Sequence, residues 1–239
     1  MGTVLVTGAN KGIGFASAKL FLNNGYNVIL AGRSEERLIA AKEKLNNAVE
    51  YVVWDVSDIH QAPIALAQAH KFYGNIDTIV NNAGIVSDED ITGSDFLDKT
   101  EEAWDKTMNT NLKGLFFAIQ AEAKYMIQHN ISGHIVNVCS EVSYRVAYNA
   151  YRASKWGALG LTKGLGLRLA RDHIILNGVA PGETATEIFR VEEGLPVKIN
   201  SPRGERAMPS EIAEAIFFLA NSKNIIGEVL ISDGGRSLH

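Results

Sequence analysis

Seven short runs rich in Val, Ile and Leu recur along the chain: TVLVT (3–7), NVILA (27–31), VEYVVW (49–54), DTIVN (77–81), HIVNVC (134–139), IILNGVA (174–180) and GEVLIS (227–232). Several are almost continuously apolar instead of alternating with polar residues. A strand that faces water on one side alternates. A strand buried on both faces does not, and such strands belong to parallel sheets covered by helices. The intervals between the runs predict helices near 13–24, 34–46, 58–73, 100–129, 150–171 and 209–221. Two of them carry helix-start signals: SEERL (34–38) is polar and acidic, and PSEIAEAI (209–216) opens with Pro and Ser before two glutamates. Repeated β–α units predict an α/β fold, a doubly wound, mostly parallel seven-stranded sheet with helices on both faces.

No linker, low-complexity tract or internal repeat interrupts the 239 residues, so residues 1–239 are expected to form a single domain. Two segments break the regular alternation. Residues 85–99 form a polar excursion after a strand, and 183–208 combine two prolines, two glycines and many charges. Loops after strands sit at the ligand-binding edge of a doubly wound sheet, which makes 183–208 a candidate substrate loop or lid. A net charge of −4 argues against a nucleic-acid partner. No run is long enough in apolar residues to span a membrane, and no secretory signal is visible. The single cysteine, Cys139, excludes an intrachain disulfide; it reads as a small structural thiol and fits a cytoplasmic location.

The loop VTGANKGIG (6–14) follows the first strand and opens the first helix. Glycines there permit a tight turn and close approach of the backbone to a phosphate, and the helix N-terminus offers free N–H groups with a partial positive charge. Its spacing, G-x-x-x-G-x-G, departs from the generic G-x-G-x-x-G.

Further motifs stand in order behind this loop: NNAG (81–84), NLKG (111–114), YRASK (151–155), APG (180–182) and DGG (233–235). Together with TGxxxGIG they resemble the short-chain dehydrogenase/reductase family over essentially the whole chain. The resemblance implies a Rossmann fold, a nicotinamide cofactor and hydride transfer between an alcohol and a carbonyl. It places Gly8, Asn10, Lys11, Gly12, Ile13 and Gly14 in the cofactor loop. It adds Asn82, Ala83, Gly84, Pro181, Gly182, Thr184 and Thr186 as further cofactor contacts. Thr186 matches the threonine of a P-G-x-x-x-T pattern, whereas Thr184 stands where an aliphatic residue is usual.

An NAD-preferring site carries an acid at the end of the second strand. That position is Gly32 here, followed by Arg33. Arg can hold a 2′-phosphate through two N–H bonds, an acid would repel it, and Lys11 is a second cation. Both features resemble NADP(H)-using members. The alternative is a solvated Arg33 with Glu35 or Glu36 turned back to the ribose. Asp55, with Val56 beside it, resembles the adenine contact, or else simply starts a helix.

Carbonyl reduction needs a proton donor as well as a hydride. Tyr151 and Lys155 are four apart and share a helix face, where an ammonium favours the phenolate. By resemblance Tyr151 is the acid/base, also contacting the cofactor, and Lys155 lowers its pKa and holds the ribose. Ser140, at the end of the fifth strand, would bind the substrate oxygen, with Ser143 as competitor. Asn111 would hold a water near Lys155 for proton relay. Tyr148 lies seven before Lys155, the spacing of the family's C=C-reducing members, but the KGIG and NNAG sequences favour carbonyl chemistry.

The interval from Ser140 to Tyr151 is eleven residues, about two shorter than the family implies. The expected substrate lining is Glu141, Val142, Tyr144, Tyr148, Glu183, Ile188 and Phe189, with Val86 and Arg145 nearby. That mixture suits a small-molecule carbonyl or alcohol substrate of medium size. The resemblance further implies a homo-oligomer, a tetramer or dimer, through helices 100–129 and 150–171. A 3-oxoacyl-carrier-protein reductase and a non-catalytic NADP(H)-binding sensor are the alternative functions.

Overall fold

The computed structural model describes residues 2–187, 198–199 and 201–238. Seven strands, β1 (Thr3–Thr7), β2 (Asn27–Gly32), β3 (Glu50–Val53), β4 (Thr78–Asn81), β5 (His134–Val138), β6 (Ile175–Pro181) and β7 (Val229–Ser232), form one sheet in the order β3-β2-β1-β4-β5-β6-β7. Every pairing is parallel, so the expected "mostly parallel" sheet is parallel throughout.

The apolar runs are buried on both faces, and successive residues serve opposite cores. Leu5, Ile29, Ile79 and Ile135 point to one layer, where α3 (Gln61–Tyr73) and α6 (Leu115–Gln128) pack. Val4, Val6, Leu30, Val80 and Val136 point to the other, against α1 (Gly12–Asn23), α2 (Glu35–Lys44) and α8 (Pro209–Ala220). Each such side chain contributes about 1.5–3 kcal/mol on full burial. α7 (Ala150–Leu169) lies along β6, with Ala158 packed beside Cys139, Ala180 and Val229. This is the doubly wound, Rossmann-like arrangement.

The segment 85–99 is more ordered than a polar excursion. It contains the short helix α4 (Asp88–Thr92), whose first turn is capped by the Ser87 hydroxyl accepting from Asp90 N at 3.1 Å. The helix expected over 100–129 is in fact α5 (Glu101–Met108) and α6, joined by one wider π-turn (Asn109–Gly114). No helix among the described residues is long and apolar enough to cross a membrane.

Candidate active site

The strand order reverses between β1 and β4, and the loops that leave the carboxyl ends of the strands there part to form a cleft. A cavity of about 820 Å³ runs along this edge, from Arg33 past the glycine loop to Ser140, Tyr151 and Arg236.

The glycine loop is held by the chain that follows β4. The Thr7 hydroxyl accepts from Asn82 N and Ala83 N, each at 3.0 Å, and Asn82 Nδ2 donates to Thr7 O at 3.0 Å and Gly8 O at 3.2 Å. Gly8 has φ +62°, and a Cβ on Gly14 would lie 2.4 Å from Gly8 O. The loop therefore folds tightly enough to bring its backbone to the cavity. Gly8, Asn10, Lys11, Gly12 and Ile13 line it, whereas Gly14 does not. Gly14 serves the turn and the packing against Asn82.

Arg33 lines the cavity, as do Lys11 and Arg37, a third cation that inspection of the sequence missed. Glu35 accepts from the Tyr51 hydroxyl at 3.1 Å, and neither Glu35 nor Glu36 lines the cavity. Asp55 does line it, with Val56, and its Oδ1 accepts from Ser57 N at 3.0 Å and Ser57 Oγ at 2.7 Å. α3 starts only at Gln61, so Asp55 closes a turn and does not begin the helix.

The order of the chemical groups follows from one cap. The Asn149 side chain accepts from Arg152 N at 2.9 Å and fixes the start of α7, so Tyr151 falls in the first turn and Lys155 one turn later. The Ser140 hydroxyl and the Tyr151 phenol line the same part of the cavity. Burial pushes that phenol above its ordinary pKa, and the neighbouring Ser140 hydroxyl pulls it partly back. Lys155 Nζ lies 5.8 Å from the centre of the Tyr151 ring and donates to Val138 O at 2.9 Å. Burial lowers the Lys155 pKa. Ser140 first and Arg152 second draw the Tyr151 pKa down.

The short connection from Ser140 to α7 is stapled to the helix it precedes. It makes a 3-10 turn (Glu141–Tyr144), Ser143 Oγ donates to Lys155 O at 2.8 Å, and Trp156 Nε1 donates to Arg145 O at 2.6 Å. Ser143 is thereby buried and committed, while Ser140 reaches the cavity. Asn111 is buried in the π-turn and does not line the cavity. Its side chain accepts from Ile85 N at 2.8 Å and donates to Ile85 O at 2.8 Å and Ser154 Oγ at 3.2 Å. The amide clamps the strand that leaves NNAG; its side chain is thus committed to neighbours.

Ala83, Gly84, Pro181, Gly182, Thr184 and Thr186 line the cavity. Thr184 Oγ1 donates to Gly182 O at 3.0 Å. Of the expected substrate residues, Glu141, Val142, Tyr148 and Glu183 line it, with Val86. Tyr144 does not: its hydroxyl donates to Val229 O at 3.4 Å, toward β7. Ile188 and Phe189 fall outside the described residues. Arg152, whose guanidinium sits 4.5 Å over the Tyr148 ring, also lines the wall, as do Arg206 and Arg236. None of these three was singled out in the sequence, where nothing local marks an arginine as pointing to a site.

A family profile described as short chain dehydrogenase matches residues 2–194. The chain belongs to the short-chain dehydrogenase/reductase family. It is 37% identical to the 3-oxoacyl-[acyl-carrier-protein] reductase of Thermotoga maritima, an alignment covering 97% of this chain and 96% of that protein. It is 34% identical to the gluconate 5-dehydrogenase of Gluconobacter oxydans, over 97% and 93% of the two chains. Among solved structures, an actinorhodin polyketide ketoreductase determined with NADPH superposes with a TM-score of 0.87 at 29% identity, over 100% of this chain and 98% of that one. Membership makes this an oxidoreductase of that family, and the observed fold is the family's.

Proposed function

We propose that this protein is an NADP(H)-dependent oxidoreductase that interconverts a ketone or aldehyde with its alcohol, using Tyr151 as acid/base. The observation that carries the reading is the convergence of Ser140, Tyr151 and Lys155 on one cleft that is also lined by Lys11, Arg33 and Arg37. The residues fit the cofactor: the glycine loop lines the cavity with its backbone where a diphosphate would lie, and the cations suit a 2′-phosphate. Gly8 to Ile13 would hold the diphosphate, Asp55 and Val56 the adenine, and Asn82 to Gly84, Lys155, Pro181, Gly182, Thr184 and Thr186 the nicotinamide riboside. Once bound, the nicotinamide supplies or accepts the hydride.

The protein's own part is the proton. Ser140 holds the substrate oxygen by donating a hydrogen bond. Tyr151, protonated at neutral pH because burial disfavours its phenolate, donates its proton to that oxygen as a carbonyl is reduced. Lys155 supplies positive charge one turn away and stabilises the phenolate left behind. In the reverse direction the same phenolate takes the proton of the alcohol. Asn111 keeps the Gly84–Ile85 strand in place beside Lys155. Segment 183–208, of which 188–197 and 200 lie outside the described residues, serves as the substrate loop of a single domain. The single cysteine, Cys139, buried as a free thiol, suits a cytoplasmic setting.

The test is NADPH oxidation over a panel of carbonyl compounds. Tyr151→Phe should lower kcat by about a hundredfold or more while NADPH still binds, and Tyr148→Phe should leave most of the activity. Loss of activity only in Tyr148→Phe would refute the assignment, and turnover with NADH equal to that with NADPH would refute the cofactor. A second reading, 3-oxoacyl-carrier-protein reduction, is favoured by the name of the Thermotoga maritima relative. It predicts that an acyl-carrier thioester outcompetes every free carbonyl compound. NADPH binding without any turnover would favour a sensor. We also propose self-association through the apolar groove between Met108, Leu112, Phe116, Phe117 and Leu161.

A further inference from the structure

The wall of the cavity at the β5–β6–β7 edge is built from charges rather than from the apolar groups that usually line a small-molecule pocket. Glu141 follows Ser140 directly, and Glu183 follows Pro181–Gly182. Arg206 arrives from the segment before α8 and Arg236 from the turn after β7. Glu183 joins the two arginines: Arg206 Nε donates to its Oε2 at 3.0 Å, and Arg236 Nη1 donates to its Oε1. Arg236 Nη1 also stands 3.8 Å from Glu141 Oε1. Arg145 completes the brace, with Nε 2.6 Å from Glu141 Oε2 and Nη2 donating to Arg236 O at 2.9 Å.

Partly buried ion networks are poor sources of stability, because desolvation offsets most of the attraction and apolar side chains of similar volume would do as well. This network also sits where packing is least demanding, at an open mouth. Its physical consequence is orientation. A guanidinium has five N–H donors in a rigid fork, and the bonds above use one from Arg206 and one from Arg236. The other donors of both forks have no hydrogen-bond partner among the described residues, and both side chains line the cavity. Arg152, Arg206 and Arg236 line the cavity with Glu141 and Glu183, and Asp88 and Asp90 line it from α4. The carboxylate of Asp233 is occupied by Gly235 N and Ser237 N at 2.9 and 2.6 Å. The unused donors of Arg206 and Arg236 lie on this wall, away from the cations Lys11, Arg33 and Arg37.

We propose that Arg206 and Arg236 form a recognition subsite for a carboxylate carried by the substrate, so that the preferred substrate is an oxo acid or its hydroxy-acid counterpart. The inference deepens, and rests on, the reading of the cleft as a carbonyl/alcohol active site. Two forks fixed by one glutamate present a preorganised surface to which a second carboxylate adds with bidentate geometry. Glu141 and Glu183 are then positioning residues, which hold the arginines and leave the anion to them.

The experiment compares 4-oxopentanoate and 5-oxohexanoate with their methyl esters and with a neutral diketone, at saturating NADPH. The wild-type protein should show kcat/KM at least tenfold higher for an acid than for its ester. Arg206→Gln and Arg236→Gln should each cut that ratio at least fivefold, mainly through KM for the acid, with the KM for NADPH unmoved. Either variant suffices should the other fail to fold. Esters used as well as or better than acids by the wild-type protein, or arginine variants that lower both equally, would overturn the proposal. Turnover of the diketone and esters without preference for acids leaves the carbonyl-reductase reading standing and removes this one. No turnover of any compound removes both.

Discussion

Glu122 offers a prediction that can be worked through in numbers. It lies in α6 facing the sheet, with no solvent exposure. Asn81 Nδ2 donates to its Oε2 at 2.9 Å, while its Oε1 has no hydrogen-bond partner among the described residues. Burial pushes its pKa up from 4.5 to about 8, against the opposing pull of the Asn81 bond. The carboxyl is therefore neutral in the folded protein at pH 7 and ionised in the unfolded chain. A raised folded pKa means that stability is fully present below about pH 4.5 and is lost as pH rises toward 8. The loss is about 1.4 kcal/mol per pH unit in that window, about 3 kcal/mol by pH 7 and about 5 kcal/mol above pH 8. Glu122→Gln keeps the shape and the acceptor for Asn81 but does not titrate. In equilibrium urea unfolding at fixed protein concentration, wild type and variant should be nearly matched at pH 5. The variant should gain about 3–4 kcal/mol over wild type by pH 8. A difference between the two proteins that stays constant from pH 5 to pH 8 would show that the carboxyl is not held neutral by the fold.

Two further outcomes follow from the cleft and the groove. Glu187 pairs with Lys11 at 2.6 Å, and that pair competes with the 2′-phosphate proposed for the same ammonium. Glu187→Gln should lower the KM for NADPH by about two- to fivefold without changing that for NADH, given the small worth of an exposed ion pair; equal effects on both would refute the competition. Sedimentation velocity should show a dimer or tetramer that Phe116→Glu, at the apolar groove, converts to smaller species, and a wild-type monomer at all concentrations would refute assembly through that face.

The sheet was legible because burial on both faces leaves a signature in each strand separately. Val4 and Val6 serve one core and Leu5 the other, so the run TVLVT shows no alternation wherever in the chain its neighbours come from. The break between α5 and α6 left no such trace. The apolar spacing across 100–129 is compatible with one helix. The π-turn becomes intelligible only when Asn111 is seen gripping both backbone groups of Ile85, 26 positions earlier. α4 is an intermediate case: Ser87 followed three residues later by Asp90 is a helix-start pattern, present in the sequence and passed over because the helix is one turn long.

The same distinction between local and distant encoding separates the chemistry of this site from its selectivity. Tyr151 and Lys155 share a helix, and Asn149 caps it, so their relation is fixed within seven residues and can be read directly. Ser140 needs only the end of one strand. The wall that faces the substrate has no such unit. Glu183 meets Arg206 across 23 positions and Arg236 across 53, and Glu141 meets Arg236 only because β5, β6 and β7 lie side by side. Sequence alone could name the two glutamates, because they adjoin motifs, but not the arginines, because an arginine in a surface segment has no pattern until the sheet brings its partner. With the proposed proton chemistry on one helix and one strand end, loop residues at this edge can be exchanged without disturbing either. Selectivity is then free to differ between chains as similar as these relatives, and the charges on this wall, more than the motifs, are where a substrate for this chain is to be sought.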